Sequence, residues 1–517
     1  MGMRKKIVFL FLIVFVFSNY AKQEESRSPG KPTPPVTLDI CLKKPYFSSF
    51  FPADLQYVND SHLYELIYNT LISATYSGRL GAELAECWNI SADMKEYTFT
   101  LREKVKFHNG KLLTADDVIF TFKQLVKHAH TQYGEFSYIE GSDDFIAGKT
   151  EGISGLVKID NLKFKIKLKQ KFKYFLHFLT CKVASILPVD FGGLSKKEFE
   201  KRPIGTGPFK LQSRQAKTKT FKFIKNRDYF TPTGNVDQLN LFLPKKTVDI
   251  KDLLHFDLFV KDITPRQKNL LVDRKIINTS HDLETFIALN PKENKSVQDR
   301  RNRQLINYAI NREQLVDFLS SGNCIPAHAI IPINLFGHNP YYRLPYLKIE
   351  KMERLLKENP ITFTLLIHHE QGKLAKYLQE QLKKINVHLR IISVEPGAYF
   401  DSISKSPNYS LILTASSDYP SPYNFLTQLY GSDGNLNFLK INSPRIDGLI
   451  AALPFIDTKR EADTLTHINK LIEEESIYIP LHYYSNIIVM KNKIKKVLFK
   501  FPSIMNFSSI EVEPNKR

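Results

Sequence analysis

Cysteine is scarce in this sequence: four in 517 residues, at Cys41, Cys87, Cys181 and Cys324. That excludes a disulfide-dense scaffold and leaves room for one or two isolated bridges, while the lack of any C-x-x-C spacing excludes a zinc ribbon or a dithiol redox motif. Long apolar runs are missing too. The longest, Ile7 to Phe17, holds eleven residues without a polar side chain; at about 1.5 Å each it covers about half of a hydrocarbon core near 30 Å thick, so no membrane span is expected. Catalytic signatures are absent: there is no H-E-x-x-H and no G-x-S-x-G. Gly205-Thr206-Gly207-Pro208 is no phosphate loop, because proline removes a donor and no Lys-Ser/Thr follows. An enzyme is therefore not expected. No repeat of fixed period occurs, which excludes solenoids and propellers.

What is present describes a large folded chain. Hydrophobic residues make up 43%, charged residues 24%, with 37 Phe and 24 Tyr, which excludes a disordered chain; at about 150 residues per domain two to four domains are expected. Arg4, Lys5 and Lys6 precede the apolar run, and Ser18, Asn19, Tyr20 and Ala21 follow it, so residues 1–21 read as a cleaved export signal. Residues 22–35, rich in Ser, Pro and Gly, read as a flexible leader. A lipid anchor is not expected, because the first cysteine, Cys41, follows Leu38, Asp39 and Ile40 instead of small residues.

Lys and Arg number 73 against 53 Asp and Glu, a net +20. An exported protein meets little nucleic acid, so no nucleic-acid partner is expected from that excess. In Asn161 to Tyr174, Lys163, Lys165, Lys167 and Lys169 alternate with Phe164, Ile166 and Leu168, the period of a strand with a core face and a lysine face that would discourage edge pairing.

Two stretches show strand-then-helix grammar. Tyr97 to Leu101 and Lys104 to Phe107 read as strands, Asn109-Gly110 as a tight turn, and a helix follows with Thr114 as cap, Asp117 near its positive end, and Val118, Ile119, Phe122, Leu125 and Val126 on one stripe. Farther on, strand Ile361 to Ile367, a helix from Gln371 to Ile385, strand Val387 to Val394 and strand Tyr409 to Thr414 form a βαβ unit with an added strand. Two helices precede it, one through Arg303 to Ala309 and one beginning at Asn311. Ligands of open α/β sheets lie beyond the carboxyl ends of the strands, which directs attention to Ala415, Ser416, Ser417, Asp418 and Tyr419. His368-His369 and His128/His130 are the nearest approach to a metal site, but adjacent histidines in a strand face opposite ways, so neither a metal nor a cofactor is expected.

Glu83 to Trp88 (ELAECW) and Tyr97 to Phe122 (YTFTLREKVKFHNGKLLTADDVIFTF) resemble the signature block of the family 5 extracellular solute-binding proteins, the peptide-binding components of ABC importers. Pro203 to Phe209 (PIGTGPF), Asn226 to Phe230 (NRDYF), Arg301 to Val316 (RNRQLINYAINREQLV) and Ser416 to Leu426 (SSDYPSPYNFL) extend the resemblance in the family's order. It implies an α/β, two-lobed periplasmic binding protein of type II, cluster C-like, with a hinge and an extra inserted domain. Lobe I would comprise 36–80, 171–288 and 481–517, the extra domain packed on it 81–170, and lobe II 289–480. Hinge strands would lie near Phe286 to Asn290 and Tyr478 to Tyr483. The implied protein is a monomer in the periplasm that closes on a peptide and hands it to a membrane ABC permease, without chemistry.

The resemblance also implies the site. Asp418 would pair with the ligand's α-ammonium, and the ligand backbone would add as a strand to Leu413, Thr414, Ala415 and Ser416, with Ser417 and Tyr419 beside them and Tyr46, Phe47 and Ser48 opposite. Where the family often has a Trp, this chain has Ala415, which removes an aromatic wall and widens a side-chain pocket. The family's S-L-D-P run appears as Ser49-Phe50-Phe51-Pro52. The net positive charge suits acidic or wall-derived peptides. Two other readings stay open: the same fold holding a metal chelate, haem or a sugar, and an adhesin-like surface protein using its basic face.

Overall fold

The computed structural model describes residues 34–43, 46–55, 58–75, 79–128, 134–244, 248–279, 281, 283–319, 323–346, 360–395, 398–405, 408–416, 421–500 and 503–513. The export signal and almost all of the leader lie outside them. No helix among the described residues is long and apolar enough to cross a membrane, and Cys41, Cys87, Cys181 and Cys324 are all free thiols.

Three sheets organise the chain. A seven-stranded sheet runs in the order Arg274–Asn278, Ile487–Lys491, Leu258–Val260, Thr37–Cys41, Gln238–Phe242, Thr220–Lys225, Phe209–Gln215. Thr37–Cys41 is parallel to both neighbours; Leu38 and Ile40 are fully buried on one face, while on the other Cys41 is buried and Thr37 and Asp39 are half-buried. A six-stranded sheet runs Cys324–Pro326, Tyr478–Tyr484, Leu283–Ala288, Ser410–Ser416, Ile361–His368, Val387–Val394. A four-stranded antiparallel sheet runs Ala85–Ile90, Glu96–Leu101, Lys163–Lys167, Leu156–Lys158.

The βαβ unit forms as its pattern predicts. Strands Ile361–His368 and Val387–Val394 pair in parallel, and the intervening helix Gly372–Lys383 buries Leu374, Ala375, Tyr377, Leu378 and Leu382, one apolar stripe of a 3.6-residue period. Asn386, at φ 61°, turns the chain out of the helix, a left-handed conformation that asparagine tolerates. The added strand Ser410–Ser416 lies parallel to Ile361–His368 on one side and antiparallel to Leu283–Ala288 on the other.

Two local expectations change. Lys104 to Phe107 forms no named strand but an isolated antiparallel bridge, Lys106 with Leu112: Lys104 sits in a turn at φ 60°, Phe107 N–H donates to Lys111 O at 2.8 Å, and Gly110 at φ 86° supplies the tight turn. The lysine-rich strand buries Phe164 and Ile166 and keeps its lysines outward, but it is interior, paired on both sides. Its lysines therefore guard no edge; Lys165 and Lys167 instead pair with Glu96 on the neighbouring strand, at 2.7 and 3.3 Å.

The chain passes between the two large sheets at residues 279–283 and 484–487. Strands Leu283–Ala288 and Tyr478–Tyr484 belong wholly to the six-stranded sheet, so the connections lie just outside them. There Thr279 N–H donates to Asn486 O at 2.9 Å and Asn486 N–H donates to Thr279 Oγ1 at 3.0 Å. The four-stranded unit touches both sides. It reaches the first through Leu84 and Ala85, whose amides donate to Thr70 and Leu71, and the second through helices Pro422–Tyr430 and Thr458–Glu475.

Candidate functional site

The carboxyl ends of the two large sheets face each other. On the first, two residues past the ends of parallel strands Thr37–Cys41 and Leu258–Val260, stand Lys43 and Asp262, whose Nζ and Oδ1 are 2.8 Å apart. The Lys43 ammonium also sits 5.3 Å over the ring of Tyr484, the last residue of strand Tyr478–Tyr484 on the second sheet. Burial works to lower the Lys43 pKa; the charges of Asp262, Tyr484 and Glu370 outweigh it and raise it. Glu370 follows strand Ile361–His368, so groups from both rims act on one ammonium. The strand-end rule locates ligands between these rims.

On the second rim, strand Ser410–Ser416 is paired from Leu411 to Ser416 by Leu283–Ala288. Its other side is paired only at Ser410 and Leu411, with Leu365 and Leu366. Next, the Ile412 carbonyl accepts from Tyr399 Oη at 2.6 Å and Gln371 Nε2 at 3.2 Å. Among the described residues no strand pairs Leu413, Thr414, Ala415 or Ser416 on that side. An unpaired edge of this kind offers alternating main-chain donors and acceptors to any extended chain laid beside it. Ser417, Asp418 and Tyr419 lie outside the described residues.

Tyr46, Phe47 and Ser48 lie just past Lys43. The Tyr46 carbonyl accepts from Asn59 Nδ2 at 2.9 Å. Ser48 donates twice to Asp60, from its amide at 2.9 Å and its hydroxyl at 2.6 Å. Phe47 packs on Phe50 and Phe221, with ring centroids 4.8 and 5.3 Å away, under the Arg214 guanidinium. Two of the main-chain groups that this stretch could lend to a ligand are thus engaged within the protein. Sequence reasoning passed over Lys43, Asp262 and Tyr484, because only the meeting of distant strands brings them together; an ionisable residue directly after a buried strand was the available signal.

The described residues hold no group of three or more His, Cys, Asp or Glu side chains arranged to bind a metal. The arrangement is one of capture: a charged rim on each side and an open strand edge between.

Comparison with known proteins agrees with this architecture. The family described as bacterial extracellular solute-binding proteins, family 5 Middle, matches residues 79–437. The dipeptide-binding protein of Escherichia coli strain K12 is 26% identical over 381 residues, 67% of this chain and 69% of that protein. Heme-binding protein A of Haemophilus influenzae is 24% identical over 470-odd residues, covering 83% of this chain and 84% of that one. Among solved structures, the ABC transporter-associated periplasmic binding protein DppA from Helicobacter pylori, in complex with the peptide STSA, superposes with a TM-score of 0.77 at 22% identity over 92% of this chain and 98% of that chain.

Proposed function

The chain belongs to the family 5 bacterial extracellular solute-binding proteins, a two-lobed fold, and from that premise we propose that it captures peptides in the cleft and delivers them to a membrane ABC permease. Lobe one carries the seven-stranded sheet and lobe two the six-stranded sheet, with the four-stranded unit as the extra domain; the protein acts as an exported, periplasmic monomer without catalysis. The observation that carries the reading is the open edge of Leu413 to Ser416 at the cleft. Main-chain pairing there supplies affinity that ignores side-chain identity, and Asp418, two residues past Ser416, anchors the ligand's ammonium.

The test is calorimetric titration of protein unfolded and refolded to strip bound ligand, with a tri- to pentapeptide pool and with the same pool N-acetylated. Saturable binding that acetylation removes supports both the peptide reading and Asp418. Equal binding of the two pools keeps the peptides and removes Asp418 as anchor. Binding of neither favours the second reading, a non-peptide solute on the same fold, which the similarity to a heme-binding protein keeps in view.

A further inference from the structure

Glu284 is the second residue of strand Leu283–Ala288, one step in from the cleft rim. Only 1% of it is exposed, and among the described residues neither carboxylate oxygen has a hydrogen-bond partner. Buried carboxyl groups are nearly always hydrogen-bonded, so an orphan of this kind calls for an explanation. The ladder places position 415 directly opposite Glu284 on one side and Tyr483 directly opposite on the other, and directly opposed residues share a sheet face.

The groups around it are aromatic. Tyr430, on helix Pro422–Tyr430, and Tyr483 both feel the Glu284 charge, and Tyr478 lies against Tyr430 at 4.7 Å between centroids. The phenols of Tyr478 and Tyr483 are already committed, to Asn437 Oδ1 at 3.1 Å and to the Ala329 carbonyl at 2.5 Å. On the adjacent strand His482 pairs with Thr285 in register, not with Glu284, and burial holds it neutral with a pKa lowered to about 4. Arg312 is occupied by the Pro480 carbonyl and by Asn307. Strand Ser410–Ser416 contributes no ionisable residue. Burial alone pushes Glu284 well above the usual carboxylate range.

A ligand strand added to the open edge of Leu413 to Ser416 would lie two strand spacings from Leu283–Ala288, about 10 Å. Between them, at position 415, stands alanine, so a long ligand side chain on that face could cross to Glu284. Resting on the peptide reading above, we propose that Glu284 is the specificity-determining acid of a side-chain pocket that takes a primary ammonium or guanidinium, as in a lysine- or arginine-like residue of the ligand. The neutral acid releases its proton to solvent as the cation docks: the O–H bond breaks, and the carboxylate left behind pairs with the ammonium. Aromatic rings around a carboxylate favour an organic cation and disfavour a ligand carboxylate. The local field is thus opposite to the net +20 of the whole chain.

The experiment titrates the refolded, ligand-free protein with tetrapeptides carrying lysine, norleucine or glutamate at each position in turn, in phosphate and in Tris buffer. The difference in heat between buffers counts protons. The expected result is one position at which lysine binds about tenfold or more tighter than norleucine and releases about one proton per peptide near neutral pH, with Glu284→Gln erasing both effects. The proton count on the unmodified protein stands even if the variant folds poorly. Equal affinity of the lysine and norleucine series without proton release overturns the proposal and leaves the peptide reading standing; absence of binding by every peptide overturns both.

Discussion

Arg312 donates to four acceptors from a site only 2% exposed: the carbonyls of Pro480, Asn307 and Ile310 and the side-chain oxygen of Asn307. Burial lowers its pKa to about 10, yet it stays charged at neutral pH. Lysine cannot reproduce that planar fork, so Arg312→Lys should cost about 2 to 4 kcal/mol, read as a lower denaturant midpoint at unchanged slope. The same logic explains Gly205 and Gly207. A Cβ on either would stand 2.0 Å or 2.4 Å from backbone atoms of Ile67, and Gly207 N–H donates to the Ile67 carbonyl at 2.7 Å. Asn226, of the NRDYF run, in turn donates to the Gly207 carbonyl. The residues that made the family legible in the sequence are therefore packing joints. The site was legible only as strand ends, because Glu284, Lys43 and Tyr484 acquire meaning from pairings between residues far apart in the chain. Glu83, another motif residue, makes the case for charge: burial would raise its pKa, but Lys500 at 2.7 Å and Lys182 hold it well below the usual carboxylate range. A carboxylate with a depressed folded-state pKa contributes stability that is present above its unfolded value, about 4.3, and lost below it. Glu83→Gln should accordingly flatten the acid limb of an unfolding-versus-pH curve below about pH 4.3; an unchanged limb would assign it to other carboxylates.

At the scale of elements, periodicity located most helices and strands, and failed where context decides. The lysine-rich strand was legible as a strand but not as an interior one, because pairing partners leave no mark on its own sequence. Nor did any local pattern announce that the four-stranded unit, together with the segment Phe172 to Tyr174 that follows it, reaches the second lobe. There Glu461, in helix Thr458–Glu475, accepts from Lys173 Nζ at 2.6 Å and from the Tyr174 hydroxyl. Tyr174 and Phe172 meet the Tyr423 ring at 5.7 and 5.5 Å, and Asn424 Nδ2 donates to Glu135 at 3.0 Å. Glu135 is buried with its second oxygen unpartnered among the described residues, and burial raises its pKa to about 8. For an acid raised above its unfolded value, the contribution to stability is fully present below about pH 4.3 and is lost as the pH climbs through 8. Thermal unfolding of Glu135→Gln should therefore lose that slope and gain stability relative to the unmodified protein as the pH rises from about 4.3 to 8. A variant no more stable at pH 8 than at pH 5, relative to the parent, would show that folding does not raise the Glu135 pKa.

On the scale of the whole molecule, closure and the inter-lobe contact compete for the same motion. Two short connections, residues 279–283 and 484–487, join the lobes, tied by the reciprocal hydrogen bonds of Thr279 and Asn486 and by Asn323, which accepts from Ser485 N–H at 2.9 Å and donates to its carbonyl at 3.0 Å. If the four-stranded unit travels with the first lobe, opening must break the contacts of Glu461 and Glu135 with their partners, and those contacts hold the cleft shut. Glu461→Ala would strand the Lys173 ammonium and shift the ligand-free population toward the open form. The measured dissociation constant then rises by the inverse of the fraction still closed, about tenfold for about 1.4 kcal/mol. Small-angle scattering should show a larger radius of gyration for ligand-free Glu461→Ala than for the parent, and the same radius for both at saturating peptide. Equal radii and equal affinities without that shift would mean that the four-stranded unit rides with the second lobe, so that opening leaves Glu461 and Lys173 together and the hinge moves free of them.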